Sequence, residues 1–522
     1  MLTLFAIIVV AAATDPFRWG PCPGKDDPRY ECGAFTVPLD HRNVSNNATI
    51  DIAVQRYRTN VTKPLGTILL NPGGPGGPGT ALATPMMSYI TGGSYDVLGF
   101  DPRGVGASRP LRCSKNGFAA WQETQAATLP PFDESLPDAE IERFGSAYKL
   151  RVERCRSYDG DYLPYLSTAF VARDMDLIRT ALGQDLMHYY GASYGTLLGQ
   201  TYANMFPSKV GRFVIDSVVD APRYVNDSAG FWASCILNIE DVFDGFASEC
   251  EAAGPLLCPL AVPKQPRPYL AAQLRSFINN FQSTVMRGGY DYVRVTAMKL
   301  RTLLLPPMYQ PSTWPQLATM LHQLLKGTLV LPSTPDTCPM DLATRDLGLA
   351  GLPYMGNDAT LELNTPESWT QSLRDAKALS PTFGSAWLAG LFHAKYWTTT
   401  PVERFTGPWN RTLANKVLIL SNEHDPVTPL RSAQAAHERF GADNSILVVR
   451  EGYGHAAAFS QPSACIHKVL VNYFTHGIYP TTTFCKVDHG PFTAPNALSE
   501  VAKAATEMAT IVHKSLPIKR FS

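Results

Sequence analysis

Apolar residues in this chain fall into short continuous runs, each closed by glycine, proline or a polar residue. Residues 66–70 (GTILL), 95–100 (YDVLGF), 187–190 (MHYY), 210–219 (VGRFVIDSVV), 416–421 (KVLILS) and 445–450 (SILVVR) each predict a strand buried on both faces. Residues 50–57 (IDIAVQRY) alternate instead, as a half-buried strand does. Residues 170–182, 194–205, 432–440 and 463–474 predict helices between and after these runs.

From residue 66 to 220 strands therefore alternate with helices, the pattern of an α/β fold with a parallel sheet covered on both faces. Such sheets bind ligands at the carboxyl ends of their strands. After Asp220 the alternation stops. Residues 221–415 are rich in Leu and Pro, with amphipathic stretches at 269–281 and 314–325, and predict a mainly helical insertion. The alternation resumes at Lys416. One sheet domain, 14–220 and 416–522, is thus expected to carry a helical lid, 221–415, folded over its strand ends.

Charge adds little to this outline. The 522 residues hold 45 basic and 45 acidic side chains and no basic run, which excludes the usual signature of nucleic-acid binding. The opening MLTLFAIIVVAAATDP predicts a signal peptide over residues 1–13, too short for the roughly 20 residues of a membrane span. No other apolar stretch is long enough to cross a membrane. Five N-x-S/T sequons, at Asn43, Asn47, Asn60, Asn226 and Asn410, fit a secreted chain. So do ten cysteines. Cys22–Cys32, Cys113–Cys155 and Cys465–Cys485 are the expected disulfides between near neighbours; Cys235, Cys250, Cys258 and Cys338 would form two more, in one of three pairings. No C-x-x-C or H-E-x-x-H spacing suggests a metal, and no phosphate-binding lysine follows the glycine-rich loop, so no cofactor is implied.

The candidate chemistry sits where the strands end. Gly191-Ala192-Ser193-Tyr194-Gly195 fits G-x-S-x-G, a strand-to-helix turn that presents a nucleophile. Asp425 follows the strand at 416–421, and His455 lies in a glycine-bracketed loop after the strand at 445–450. Nucleophile, acid and histidine in this chain order are the hydrolase arrangement. Serine needs a neutral imidazole to take its proton during attack. Asp425 would set the histidine tautomer and stabilise the imidazolium. Glu423 competes with Asp425 for the acid role. His424 is set aside as the base, because adjacent strand-end residues diverge. The oxyanion would be met by the N–H of Tyr194 and by an N–H of the loop NPGGPGGPG (71–79), at Gly74 or Gly73.

The stretches LNPGGPGGPG (70–79), DVLGFDPRGVGAS (96–108), GASYG, NEHDPVTPL and GYGHAAA together resemble secreted tripeptidyl and prolyl aminopeptidase-type serine peptidases of the α/β-hydrolase fold. Residues 416–485 resemble the tripeptidyl-aminopeptidase-like C-terminal region. The resemblance implies Ser193, Asp425 and His455 as the triad, and Gly74 and Tyr194 as oxyanion donors. Pro72 stands where relatives often carry histidine. Asp101 and Arg103 are expected to brace their loop. The implied activity is release of short peptides or single residues from free N-termini. Alternatives are an esterase or lactonase, or a non-catalytic binding protein on the same fold. An aminopeptidase needs carboxylates facing the substrate ammonium; the insertion offers Glu240, Asp241, Asp244, Glu249, Glu251 and Glu403, none within a motif.

Overall fold

The computed structural model describes residues 15–115, 138–263, 265–287, 297–329, 349–359, 366–389 and 396–493. The expected signal segment, 1–13, lies outside them. The strands are β1 (Tyr30–Pro38), β2 (Thr49–Tyr57), β3 (Thr67–Asn71), β4 (Asp96–Phe100), β5 (Met187–Ala192), β6 (Val210–Asp216), β7 (Val417–His424), β8 (Ser445–Tyr453) and β9 (Phe484–Cys485). They form one sheet in the order β1-β2-β4-β3-β5-β6-β7-β8-β9. β1, β2 and β4 pair antiparallel, and every pairing from β4 onward is parallel.

Burial explains these patterns. β3 and β4 are buried at every position, as their unbroken apolar runs require, whereas β2 alternates. β1 carried no signal because YECGAFTVP is mostly half-buried and has no clean period. The helices Thr168–Ala181, Tyr194–Met205 and Leu430–Phe440 cover one face through Val171, Leu197 and Ala433. Pro85–Ile90 and Ala464–Val471 cover the other through Met87 and Ile466.

Between β6 and β7 the regular elements of the described residues are all helical. Helices Ile239–Ala253, Leu270–Arg287, Ala297–Tyr309 and Trp314–Leu325 build a separate core around Phe243, Phe246, Ile278, Leu304 and Trp314. The short helix Leu352–Asp358 behaves differently: its Leu352 and Tyr354 join the core beneath the sheet. Asn357 Nδ2 donates to the carbonyls of Leu163 and Leu166, both at 2.8 Å.

The loop after β4 is braced as expected. Asp101 accepts from Thr80 Oγ1 at 2.8 Å and from the Ala107 N–H at 2.9 Å. Arg103 is fully buried and grips Asp174 at 2.5 Å, with further bonds to the carbonyls of Pro38 and Leu39. Burial by itself would push Asp174 up, but the charge and hydrogen bonds of Arg103 hold it below the ordinary carboxylate range.

Among the described residues four disulfides form: Cys22–Cys32, Cys113–Cys155, Cys250–Cys258 and Cys465–Cys485. The expectation that Cys235 would also be bridged is corrected. Cys250 on the helix Ile239–Ala253 and Cys258 in the turn that follows it pair with each other, and Cys235 keeps a free, buried thiol. Cys338 lies outside the described residues. All five sequon asparagines are exposed.

Candidate active site

The site grows from a tight turn. β5 ends at Ala192 and the helix Tyr194–Met205 begins two residues later, so Ser193 alone makes the reversal. It does so at φ 59° and ψ −127°, a region that costs an L-residue on the order of 1–3 kcal/mol. The flanking glycines are sterically required. A Cβ on Gly191 would lie 2.5 Å from the Gly195 carbonyl oxygen, and one on Gly195 would lie 2.7 Å from that of Asn71. Ser193 is buried, and its N–H is bonded to the Asp216 carbonyl at 3.0 Å.

The glycine-rich loop after β3 lies against this turn. A Cβ on Gly73 would fall 2.4 Å from the Ala192 carbonyl oxygen and 2.8 Å from the Tyr194 nitrogen. Gly73 is therefore the point of contact, but its own N–H is taken by Asn71 Oδ1 at 2.9 Å. The N–H of Gly74 is the next along the loop. Behind the turn, the Tyr194 phenol bonds Thr168 Oγ1, which donates to Asp358 at 2.6 Å.

Asp425 and His455 meet directly. His455 Nδ1 lies 3.0 Å from both Asp425 oxygens, and both side chains are buried. Asp425 Oδ1 also accepts the N–H groups of Val427 at 3.0 Å and Thr428 at 2.8 Å, so it closes a local turn while it holds the imidazole. Burial would raise the Asp425 pKa; the charge and hydrogen bond of His455 and those two N–H donors outweigh it and keep the carboxylate ionised. Nε2 of His455 is buried and has no hydrogen-bond partner among the described residues. Among those residues, no hydrogen bond joins it to Ser193 Oγ; such bonds commonly tighten only when substrate is bound.

The competing residues turn elsewhere. His424 stacks on Tyr453, ring centroids 5.2 Å apart, and Glu423 reaches the Gly452 N–H at 3.5 Å. Of the carboxylates between β6 and β7, most have structural partners. Glu240 binds Arg275, Ser380 and Thr382, and Asp244 also pairs with Arg275. Glu251 accepts the N–H groups of Tyr269 and Leu270, Glu403 pairs with Arg173, and Asp241 accepts from Asn238. Glu249 is half-buried, and burial pushes its pKa up.

Three contributors escaped the sequence reading. Thr428 Oγ1 sits 3.2 Å from His455 Nδ1. Tyr309 accepts the His455 N–H on its carbonyl at 2.9 Å and meets the imidazole edge-on, ring centroids 5.2 Å apart. Asp216 carries the histidine loop on its carboxylate. A strand-end aspartate was a readable signal for Asp216; nothing in the spacing pointed to Tyr309.

Sheet order and strand-end loops together make this an α/β-hydrolase fold. The profile of the α/β hydrolase fold matches residues 66–253, and that of TAP-like proteins matches residues 380–485. The chain is a serine hydrolase of the α/β-hydrolase fold, and its residues 380–485 are similar to TAP-like proteins. Tripeptidyl aminopeptidase of Streptomyces coelicolor is 28% identical over 498 residues, covering 90% of this chain and 86% of that protein. Serine protease Hip1 of Mycobacterium tuberculosis is 26% identical, covering 89% of this chain and 90% of its own. Carboxylesterase B of Mycobacterium tuberculosis is 27% identical, covering 87% and 85%.

Proposed function

We propose that the protein is a secreted aminopeptidase that releases short peptides or single residues from free N-termini through an acyl-enzyme on Ser193. The observation that carries this reading is His455, held on Nδ1 by Asp425 while Nε2 is buried and has no partner among the described residues. In the proposed reaction Nε2 takes the Ser193 proton as Oγ attacks the carbonyl carbon. The carbonyl electron pair moves onto oxygen, where the N–H groups of Tyr194 and Gly74 receive it; each such donor contributes about 3–4 kcal/mol. Collapse of the intermediate breaks the C–N bond, and His455 returns its proton to the leaving amine. Water then attacks the acyl-enzyme with His455 again as base, freeing the acid and Ser193.

The segment 221–415 is proposed as the lid that selects substrate. Tyr309 abuts His455, and Gly351 lies against the glycine-rich loop, where a Cβ would meet the Pro75 carbonyl oxygen at 2.3 Å. A secreted location is supported by four disulfides and five exposed sequons. The peptide reading is supported by the relatives named tripeptidyl aminopeptidase and serine protease, and an ester reading by the one named carboxylesterase B.

The test has two parts. A fluorophosphonate should label the protein, and Ser193→Ala should abolish labelling; persistent labelling places the nucleophile elsewhere. Free and N-blocked peptide anilides are then compared with p-nitrophenyl esters. Cleavage of free peptides alone is expected. Cleavage of esters alone replaces the peptidase reading, and equal cleavage of blocked peptides removes the requirement for a free N-terminus.

A further inference from the structure

We infer that Asp216 is a positioning residue that couples the nucleophile turn to the histidine loop and sets their spacing. The inference rests on the reading of Ser193 as nucleophile and His455 as base. Asp216 is the last residue of β6 and is fully buried. Its carbonyl accepts the Ser193 N–H at 3.0 Å. Its side chain reaches the opposite partner: Oδ1 accepts the Ala457 N–H at 2.7 Å, and Oδ2 accepts the Ala458 N–H at 3.0 Å. One residue thus touches the backbone on both sides of the reacting pair. The next residue completes the clamp, because Ser217 Oγ accepts the Ala456 N–H at 2.8 Å. Ser217 and Ala456 both hold positive φ, 61° and 71°, so this contact fixes two backbones that would otherwise relax.

The third donor to the Asp216 side chain is the Tyr190 hydroxyl, 2.6 Å from Oδ2. These three contacts tie the side chain to β5 and to the histidine loop. Burial holds the Asp216 pKa above the ordinary carboxylate range, and Tyr190, the two N–H groups and the charge of His455 offset this only in part. The charged and titratable groups facing Asp216 are Tyr190 from β5, Arg450 from β8 and His455 itself.

Asp216→Asn replaces one of the two acceptors by a donor, facing it with the N–H of Ala457 or Ala458. We expect kcat to fall by about 10²-fold, the scale of a small misplacement of reacting groups, with KM changed less than about threefold. Ser217→Ala removes the acceptor for the Ala456 N–H and should slow fluorophosphonate labelling. An Asp216→Asn protein with wild-type kcat, or one whose loss falls on KM instead of kcat, overturns the inference. If that variant does not fold, Tyr190→Phe is read instead: slower labelling is expected, and an unchanged rate overturns the inference. Labelling that survives in Ser193→Ala overturns the underlying reading of the nucleophile instead, so the two failures are distinguishable.

Discussion

The chemistry of this protein depends on a few residues held where they would not rest by themselves. Ser193 occupies a strained φ and ψ, and the glycines around it are dictated by contact rather than by flexibility. Gly73 makes the tightest of these contacts, with φ 88° and backbone atoms of residues 192 and 194 within 2.8 Å of where its Cβ would be. Gly73→Ala should therefore displace the glycine-rich loop from the turn and lower kcat by about 10²-fold, the scale of losing one oxyanion donor. Single-turnover measurements check this, and a rate within threefold of the natural protein would show that the loop does not need this approach. At Asp425 the structural and chemical readings coincide, since the same oxygen caps a turn and holds the imidazole. Asp425→Asn keeps the shape but loses the charge, and should lower kcat by about 10⁴-fold.

At the scale of elements, strand ends do the organising. The ends of β5, β7 and β8 bring Ser193, Asp425 and His455 to one edge because parallel strands share a direction. The loops there are supported from below. Arg103, Asp174 and His41 form one such support, joining β4, the helix Thr168–Ala181 and the segment after β1. Asp174→Asn should destabilise the protein by about 3–5 kcal/mol, because it leaves a buried guanidinium without its counter-charge. The midpoint of urea unfolding measures this; a cost below about 1 kcal/mol would show that the neighbouring carbonyls suffice. The strands β2 to β8 were legible in the sequence to within a few residues, since burial on two faces leaves an unbroken apolar run; the two-residue β9 was not. β1 and the membership of Leu352–Asp358 in the sheet core were not, because neither has a periodic pattern of its own.

For the molecule as a whole, buried charge links stability to pH. Asp358 is buried beside Thr168, Tyr194 and Tyr354, and burial raises its pKa from 3.8 to about 7. A carboxyl with a raised folded pKa holds its proton in the native state after the unfolded chain has lost it. Stability from this group is then present at low pH and declines as pH rises from about 4 to about 7. Asp358→Asn removes the titration, so its melting temperature relative to the natural protein should improve between pH 4 and pH 8. A constant difference across that range would mean that Asp358 does not titrate there. Cross-links act at the same scale. Cys113–Cys155 closes a loop with a sequence separation of 42, and its removal should cost about 4 kcal/mol in the loop-entropy account.

Local pattern by itself determined the alternation of strands and helices, the turn at Ser193 and the chain order of Ser193, Asp425 and His455. These are legible because period, glycine placement and strand-end position are properties of neighbouring residues. Tertiary structure alone decided that Asp216 joins the two sides of the site, that Tyr309 receives the His455 N–H, and that Cys250 pairs with Cys258 while Cys235 stays free. The contacts of Asp216 with the histidine loop and of Tyr309 with His455 link residues more than a hundred positions apart, and their hydrogen bonds leave no period in the chain. They arise only once the packed sheet has brought those residues within reach of one another.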